Sequence, residues 1–127
     1  MLITDSYRQE QTNLHKTGKY GTASLQYGQV VINLLDRLNS RSILDYGCGS
    51  MRNLLKVLAP EHAVQYQGYD PAIPEYNVKE PADLVVCIDV LEHIEPELLD
   101  NVLDDLRDLT RAWAYLTIHT GPAVKRL

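Results

Sequence analysis

Short apolar segments that alternate with helical patterns constrain the fold of this chain more than any other feature of its sequence. The four apolar segments are residues 42–46, 64–69, 83–88 and 113–118. Helical patterns, one over residues 51–59 and one after Pro96, connect these segments in two pairs. Strands that alternate with helices in this way predict an α/β fold, with a mostly parallel sheet and helices on both of its faces.

The first 40 residues are expected to form a helical cap ahead of this core. Residues 4–15 are polar and suit a short helix, and residues 15–21 read as a loop with two glycines. Residues 23–39 have apolar side chains at the spacing of one helix face. These side chains are Tyr27, Val31, Leu34, Leu35 and Leu38. We therefore divide the chain into a cap over residues 1–40 and a core over residues 41–127.

The last predicted helix is also amphipathic, and Pro96 suits its first turn. Its apolar face carries Leu99, Val102, Leu103, Leu106 and Thr110. Its other face carries Asp100, Asp104, Asp105 and Asp108. Before this helix, residues 71–81 contain three prolines and are predicted to be mostly loop.

Composition and charge exclude several classes of protein. The 17 acidic and 12 basic residues give a net charge of −5 and form no broad basic surface, which argues against a nucleic-acid partner. No apolar run approaches the roughly 20 residues that a membrane span needs. The N-terminus lacks the basic and apolar regions of a signal peptide. Cys48 and Cys87 are therefore expected to be free thiols in a cytoplasmic protein.

Ligands of parallel sheets bind where the strands end at their carboxyl ends. We call these places the strand exits. In this chain they are residues 45–50, 70–74, 89–93 and 119–122. We expect the chemistry of the chain at these four exits.

The first exit contains two glycines, Gly47 and Gly49, which let the backbone turn tightly against a ligand. A dinucleotide-binding turn would have a third small residue where this chain has Arg52. Asp45 would also be an awkward neighbour for a pyrophosphate. It favours instead a ligand with a cationic head and no phosphate. A simple strand-to-helix turn without a ligand is the alternative.

The second exit begins with Asp70, about 20 residues after the glycines. An acid in this place accepts hydrogen bonds from a ribose diol. A solvent-facing Asp that opens an Asp-Pro turn is the alternative. A cation site and a ribose site on adjacent strands together describe S-adenosylmethionine, which carries an amino acid cation, a sulfonium and an adenosine.

The third exit has two carboxylates and an imidazole, those of Asp89, Glu92 and His93. Glu92 or His93 is our candidate for a catalytic base. Alternatively, both residues only open the next helix, where acids complement the helix dipole. A further alternative adds His119 from the fourth exit and makes these side chains a divalent-metal site. We assign no metal to the chain.

Three segments carry a resemblance to a known family: SILDYGCGS, YQGYDPA and ADLVVCIDVLEHIEPE. Together they resemble the class I S-adenosylmethionine-dependent methyltransferases, most of all a small branch whose fourth strand ends in D-V-L-E-H. The resemblance covers about residues 42–120 and implies a Rossmann-like fold. The residues that it implies for cofactor binding are Asp45, Gly47, Cys48 and Gly49 at the methionine end, Asp70 at the ribose, Pro71 and Ile73 near adenine, and the backbone of Asp89 and Val90. Glu92 and His93 would lie nearby.

The chain departs from the family pattern in three places. Met51 replaces the usual third glycine, so we expect its side chain to crowd the cofactor. Only residues 71–81 separate the second and third apolar segments, so the family's third strand is absent or vestigial. The chain ends just after the equivalent of the fifth strand, which predicts an incomplete methyltransferase fold and a fragment of a longer gene product.

We therefore expect a methyltransferase that uses S-adenosylmethionine and a small-molecule acceptor, with the loop at residues 15–21 and Tyr20 closing over the cofactor. A non-catalytic, degenerate binding domain is the alternative. A nicotinamide-dependent oxidoreductase is disfavoured by Asp45 and Arg52. A sheet without its closing hairpin would expose an edge, which predicts a homodimer.

Overall fold

A parallel sheet of four strands lies at the centre of the fold. The computed structural model describes residues 27–58 and 64–120 of the chain. The strands are β1 (Ser42–Tyr46), β2 (Gln65–Tyr69), β3 (Ala82–Ile88) and β4 (Thr110–Thr117). The α-helices are α1 (Gly28–Leu38), α2 (Asn53–Val57) and α3 (Leu99–Leu109). Short 3-10 helices cover Pro74–Tyr76, Leu91–His93 and Pro96–Leu98.

The strands lie in the order β2-β1-β3-β4, and every neighbouring pair is parallel. After β2 the chain crosses to the other side of β1, so the direction of winding reverses between β1 and β3. This is the topological switch point at which such sheets bind ligands. The predicted Rossmann-like, mostly parallel α/β fold is therefore confirmed.

Each face of the sheet is covered by helices. This cover buries β1 and β3, which are apolar on both faces, as buried parallel strands are. On one face α1 and α2 pack against the strands through Val31, Leu35, Ile43, Leu54, Leu58, Leu84, Val86 and Ile88. On the other face α3 packs against Leu44, Tyr46, Val85 and Cys87 through Val102, Leu106 and Leu109. Both cysteines are buried free thiols, as predicted.

The predicted starts of one helix and one strand were wrong by two or three residues. The helix predicted from residue 51 begins at Asn53, because Arg52 has a left-handed backbone with φ 44°. The predicted last strand begins at Thr110 rather than at Trp113, directly after α3. The Thr110 hydroxyl donates to the Leu106 carbonyl at 2.7 Å and ends the helix. Leu103, predicted for the apolar face of α3, is 40% exposed.

Residues 71–81 contain no strand, which confirms that the family's third strand is absent. Lys79 from this segment forms an ion pair with Asp105 on α3, and its ammonium lies 4.5 Å from the centre of the Tyr69 ring. The Tyr46 hydroxyl donates to the same carboxylate at 2.7 Å. Asp105, an acid on the polar face of α3, thus links the loop at residues 71–81 to Tyr46 in the sheet.

Several predictions fall outside the described residues. They are the first helix over residues 4–15, the loop at residues 15–21 with Tyr20, and the break after the last strand at residues 121–122. The division into a cap and a core likewise stays a prediction, although α1 packs directly on the sheet. Within the described ranges, none of the helices has the length and apolar character required to cross a bilayer.

Candidate functional site

The glycine turn after β1 uses its N–H groups within the protein. Gly47 and Gly49 have positive φ angles of 87° and 75°, which glycine adopts without strain. The N–H groups of Gly47 and Cys48 both donate to the Tyr69 carbonyl, at 2.7 and 3.0 Å. The Gly49 N–H donates to Asp70 Oδ2 at 3.1 Å. These three N–H groups are therefore not available to a phosphate, whereas a cation needs none of them.

Gly47 is also required by a close contact with the third exit. A Cβ atom added to Gly47 would lie 2.5 Å from Cγ2 of Val90, far inside van der Waals contact. The Val90 side chain thus occupies the space that a Gly47 side chain would need. This contact joins the first and third exits, two of the three predicted to meet around the cofactor.

Asp45 lies at the end of β1 and is only 1% exposed. Its Oδ2 accepts a hydrogen bond of 2.7 Å from the hydroxyl of Tyr66 on β2. Burial raises the pKa of Asp45 to about 7; the Tyr66 hydrogen bond opposes this shift, and repulsion from Asp70 adds to it. The structure thus places two acids close enough to repel each other beneath the glycine turn, an arrangement that a cationic ligand would relieve.

Sequence reasoning missed Tyr66. It reaches Asp45 because Gly68, the β2 residue paired with Asp45, has no side chain. A Cβ at Gly68 would lie 3.0 Å from Cys48 Sγ and 3.1 Å from the Tyr66 hydroxyl. The side chains of Cys48 and Tyr66 therefore pack against Gly68, in the space that a Cβ atom would need. The sequence did contain a signal for this contact, because a glycine within an apolar strand often marks the close approach of another group.

Asp70 is buried and links the first two exits. Its Oδ2 accepts from Gly49, and its Oδ1 accepts from the Ala72 N–H at 3.0 Å. Asp70 is therefore not solvent-facing, but it does open the Asp-Pro turn of the alternative, through its bond to the Ala72 N–H. Contact between Asp70 and a ribose stays a prediction.

The segment after Asp70 is buried only at Ala72 and Ile73, and the rest of residues 71–81 are half-buried or exposed. Ile73 is buried and donates its N–H to the Asp70 carbonyl at 3.0 Å, while Pro71 is half-buried. The contacts of Pro71 and Ile73 with adenine stay a prediction.

Arg52 bridges the first two exits, and sequence reasoning did not foresee this. Its guanidinium carbon lies 4.8 Å from the centre of the Tyr76 ring, a cation–π contact between the segments that follow the two exits. Arg52, rather than Met51, has the positive φ angle. Met51 is 49% exposed, so half of its side chain faces solvent at the place where we expected it to crowd the cofactor.

The third exit is fixed to the end of β4. Asp89 has a left-handed backbone with φ 52°. Its Oδ1 accepts from the Thr117 hydroxyl at 2.8 Å. Glu92 lies in the 3-10 helix after Val90, and its Oε2 accepts from the His119 N–H at 3.0 Å. Glu92 Oε1 is shielded from solvent and has no hydrogen-bond donor among the described residues.

The candidate catalytic and metal-binding side chains at this exit face different partners. His93 is half-buried, and its backbone N–H donates to the Val90 carbonyl at 2.9 Å. The alternative of a metal site at Asp89, Glu92, His93 and His119 is wrong. Within residues 27–58 and 64–120, no group of three or more His, Cys, Asp or Glu side chains is arranged to hold a metal ion. Asp89 faces Thr117 instead, and Glu92 faces the backbone of the fourth exit.

A family model described as a methyltransferase domain matches residues 22–125, more than half of the chain. The chain therefore belongs to this family of class I S-adenosylmethionine-dependent methyltransferases. A comparison with curated proteins found no match.

Proposed function

We propose that this chain binds S-adenosylmethionine at the carboxyl edge of its sheet and transfers the methyl group to a small molecule. One observation carries the proposal: the glycine turn lies above two buried acids, Asp45 and Asp70, and its N–H groups are already bonded within the protein. Such a turn fits a cationic ligand. Among the ligands of this fold, S-adenosylmethionine has that character at its amino acid and sulfonium end.

The proposed binding site uses the residues that border the switch point. Carbonyl oxygens of the turn at residues 47–49 would accept hydrogen bonds from the ammonium of the amino acid, and Asp45 would add negative charge below them. The Asp70 carboxylate, at the end of β2, would accept from the ribose hydroxyls. Pro71 and Ile73 would border the adenine, and the backbone of Asp89 and Val90 would line the other side. The buried acids and the interlocked turn support these placements.

When bound there, S-adenosylmethionine supplies an electrophilic methyl group. The protein's part is then to hold the acceptor nucleophile in line with that group, at a distance close to attack. An acceptor that carries a proton on its nucleophile also needs a base. Glu92 is the proposed base, because its Oε1 is a carboxylate oxygen without a donor among the described residues. His93, two residues after Leu91 in the same 3-10 helix, is the second candidate.

A small molecule is the proposed acceptor because the acidic net charge of the sequence argues against a nucleic acid. The net charge is −5, and the described third exit adds two carboxylates to the acidic edge. A neutral or cationic small molecule approaches such an edge without repulsion.

A binding domain without turnover is the second candidate. It is favoured by the glycine turn, whose N–H groups are bonded within the protein without any ligand, and by the missing third strand. This candidate predicts affinity for the cofactor but no product with any acceptor.

The binding claim is tested by titrating the protein with S-adenosylhomocysteine in a calorimeter. Asp70→Asn is compared with Asp83→Asn, a matched variant at the amino end of β3, where Asp83 accepts from the Arg41 N–H at 3.0 Å. We expect Asp70→Asn to weaken binding by roughly 10- to 100-fold, the loss of a charge-assisted hydrogen bond. Asp83→Asn should leave the affinity unchanged. No heat with the wild-type protein at millimolar ligand would refute the proposal.

A second assay separates the two candidates. It measures S-adenosylhomocysteine formed from S-adenosylmethionine with phenols, amines and thiols as acceptors. Product that disappears in Glu92→Gln, while cofactor affinity is kept, supports the enzyme. Binding without product for all three classes supports the binding domain.

A further inference from the structure

Asp89 has a backbone conformation that side chains disfavour. Its φ of 52° lies in the left-handed region, where a Cβ atom crowds the following carbonyl oxygen. Asp and Asn enter this region more readily than other residues with side chains. Even so, the conformation needs support from its surroundings.

Thr117 provides that support with a single hydroxyl group. Its Oγ1 accepts from the Asp89 N–H at 2.9 Å and donates to Asp89 Oδ1 at 2.8 Å. The Thr117 carbonyl accepts from the same N–H at 3.0 Å. A hydroxyl both donates and accepts, so it can hold the backbone and the side chain of Asp89 together. Valine has the same shape but can do neither.

The conformation of Asp89 determines where Val90 lies, because Val90 is the next residue. Val90 in turn fills the space over Gly47, where a Cβ would come within 2.5 Å of Cγ2. A continuous series of contacts thus runs from the end of β4, through the third exit, to the turn after β1.

We propose that Thr117 is a positioning residue for the cofactor site, acting through Asp89 and Val90 on the glycine turn. The proposal rests on the proposed function, since it names a residue that shapes that site. Thr117 itself need not touch the cofactor.

The proposal is tested by substitutions that remove either the hydroxyl or the strain. Thr117→Val should weaken binding of S-adenosylhomocysteine by roughly tenfold, since two hydrogen bonds are lost. Thr117→Ser, which keeps the hydroxyl, should bind as the wild type does.

The decisive comparison repeats Thr117→Val in two backgrounds that both lack the Asp89 carboxylate. In Asp89→Gly the left-handed backbone is free of strain, so Thr117→Val should no longer change the affinity. In Asp89→Ala the strain remains, so Thr117→Val should still weaken binding. The same loss in both backgrounds would show that Thr117 does not act through the Asp89 backbone and would overturn the proposal.

A second measurement does not depend on the cofactor. The Gly47 N–H donates to the Tyr69 carbonyl at 2.7 Å, so its hydrogen exchange reports on the turn. Exchange followed by NMR should be faster in Thr117→Val and return to its starting rate in the Asp89→Gly background. If the wild-type protein does not bind S-adenosylhomocysteine, the proposed function fails, but this exchange still decides the role of Thr117. Unchanged Gly47 exchange in Thr117→Val would overturn it.

Discussion

Asp45 is an acid in a place where an ionised carboxylate is unfavourable. It is buried, accepts one hydrogen bond from Tyr66 and is repelled by Asp70. Strongly shifted acids of this kind concentrate at functional sites, although structural networks also produce them. Its position at the first exit supports a role in binding a cation, because a positive ligand would favour the ionised form.

The shift makes the stability of the protein depend on pH in a defined direction. The pKa of Asp45 is raised from 3.8 to about 7 in the folded protein. Between these values the folded state keeps a proton that the unfolded chain has lost. Stability from this group is therefore complete at pH values below 3.8, falls as pH rises towards 7, and levels off above that.

We predict that Asp45→Asn removes this dependence. The difference in the free energy of unfolding between the variant and the wild type should change by at most about 1.4 kcal/mol per pH unit, the limit for one proton. Urea unfolding between pH 4.5 and 8 measures it. Asp36→Asn, at an exposed acid of α1, is the control and should keep the wild-type slope. Parallel curves for wild type and Asp45→Asn would contradict the prediction.

At the scale of single residues, the acids and glycines of the strand exits could be located from the sequence. The residues that form hydrogen bonds with these acids could not. Gly47 and Asp70 follow recognisable apolar strands, and Asp45 lies near the end of one. Tyr66 reaches Asp45 only because of the register between β1 and β2, and Thr117 meets Asp89 through the register between β3 and β4. Pairing registers are not encoded in the local pattern of one strand.

The start of α2 shows how one residue sets the boundary of an element. Arg52 has φ 44° and delays the helix by two residues relative to the expectation from sequence. The stack of its guanidinium on Tyr76 is the compensating contact. A strained residue beside a ligand site is common where geometry is fixed for function.

We predict that Arg52→Gly is more stable than Arg52→Ala by about 1 kcal/mol, the typical difference for a left-handed position. Both variants lack the guanidinium, so the contact with Tyr76 is lost equally. Only the freedom of the backbone differs between them. Thermal or urea unfolding of the two variants gives the difference directly, and equal stabilities would show that the position is not strained.

Among the elements, β1, β2 and β3 could be predicted closely, because short apolar segments bounded by turn residues identify buried strands. The junction between α3 and β4 could not. Leu109 ends the helix and Thr110 begins the strand without any intervening residue, so no glycine, proline or polar cluster marks the change. Thr110 therefore fitted the helical spacing equally well.

The sheet as a whole has an exposed outer strand. In the described part of the chain β4 pairs only with β3, and several of its apolar side chains are open to solvent. Trp113 is 56% exposed, and Leu116 and, just after the strand, Ile118 are exposed as well. Unpaired, apolar edge strands are templates for pairing with another chain. We propose that two copies of the chain associate through β4 about a two-fold axis.

This proposal predicts a dimer by light scattering at high protein concentration. Trp113→Lys should shift the population to monomer, since a charge on the edge opposes strand pairing. Val78→Lys is the matched control, because Val78 is 64% exposed but lies in the loop before β3. A wild-type protein that is monomeric at high concentration, or a dimer that withstands Trp113→Lys, would contradict the proposal.

The contact between Gly47 and Val90 has a consequence for how such chains evolve. Any larger residue at position 47 would collide with Val90 even in a protein that had lost its ligand. Purifying selection on folding alone would therefore preserve this glycine in descendants without enzymatic activity. Counting methyltransferases in a genome by this glycine would overestimate them, whereas a position free of such packing would record the loss of catalysis sooner.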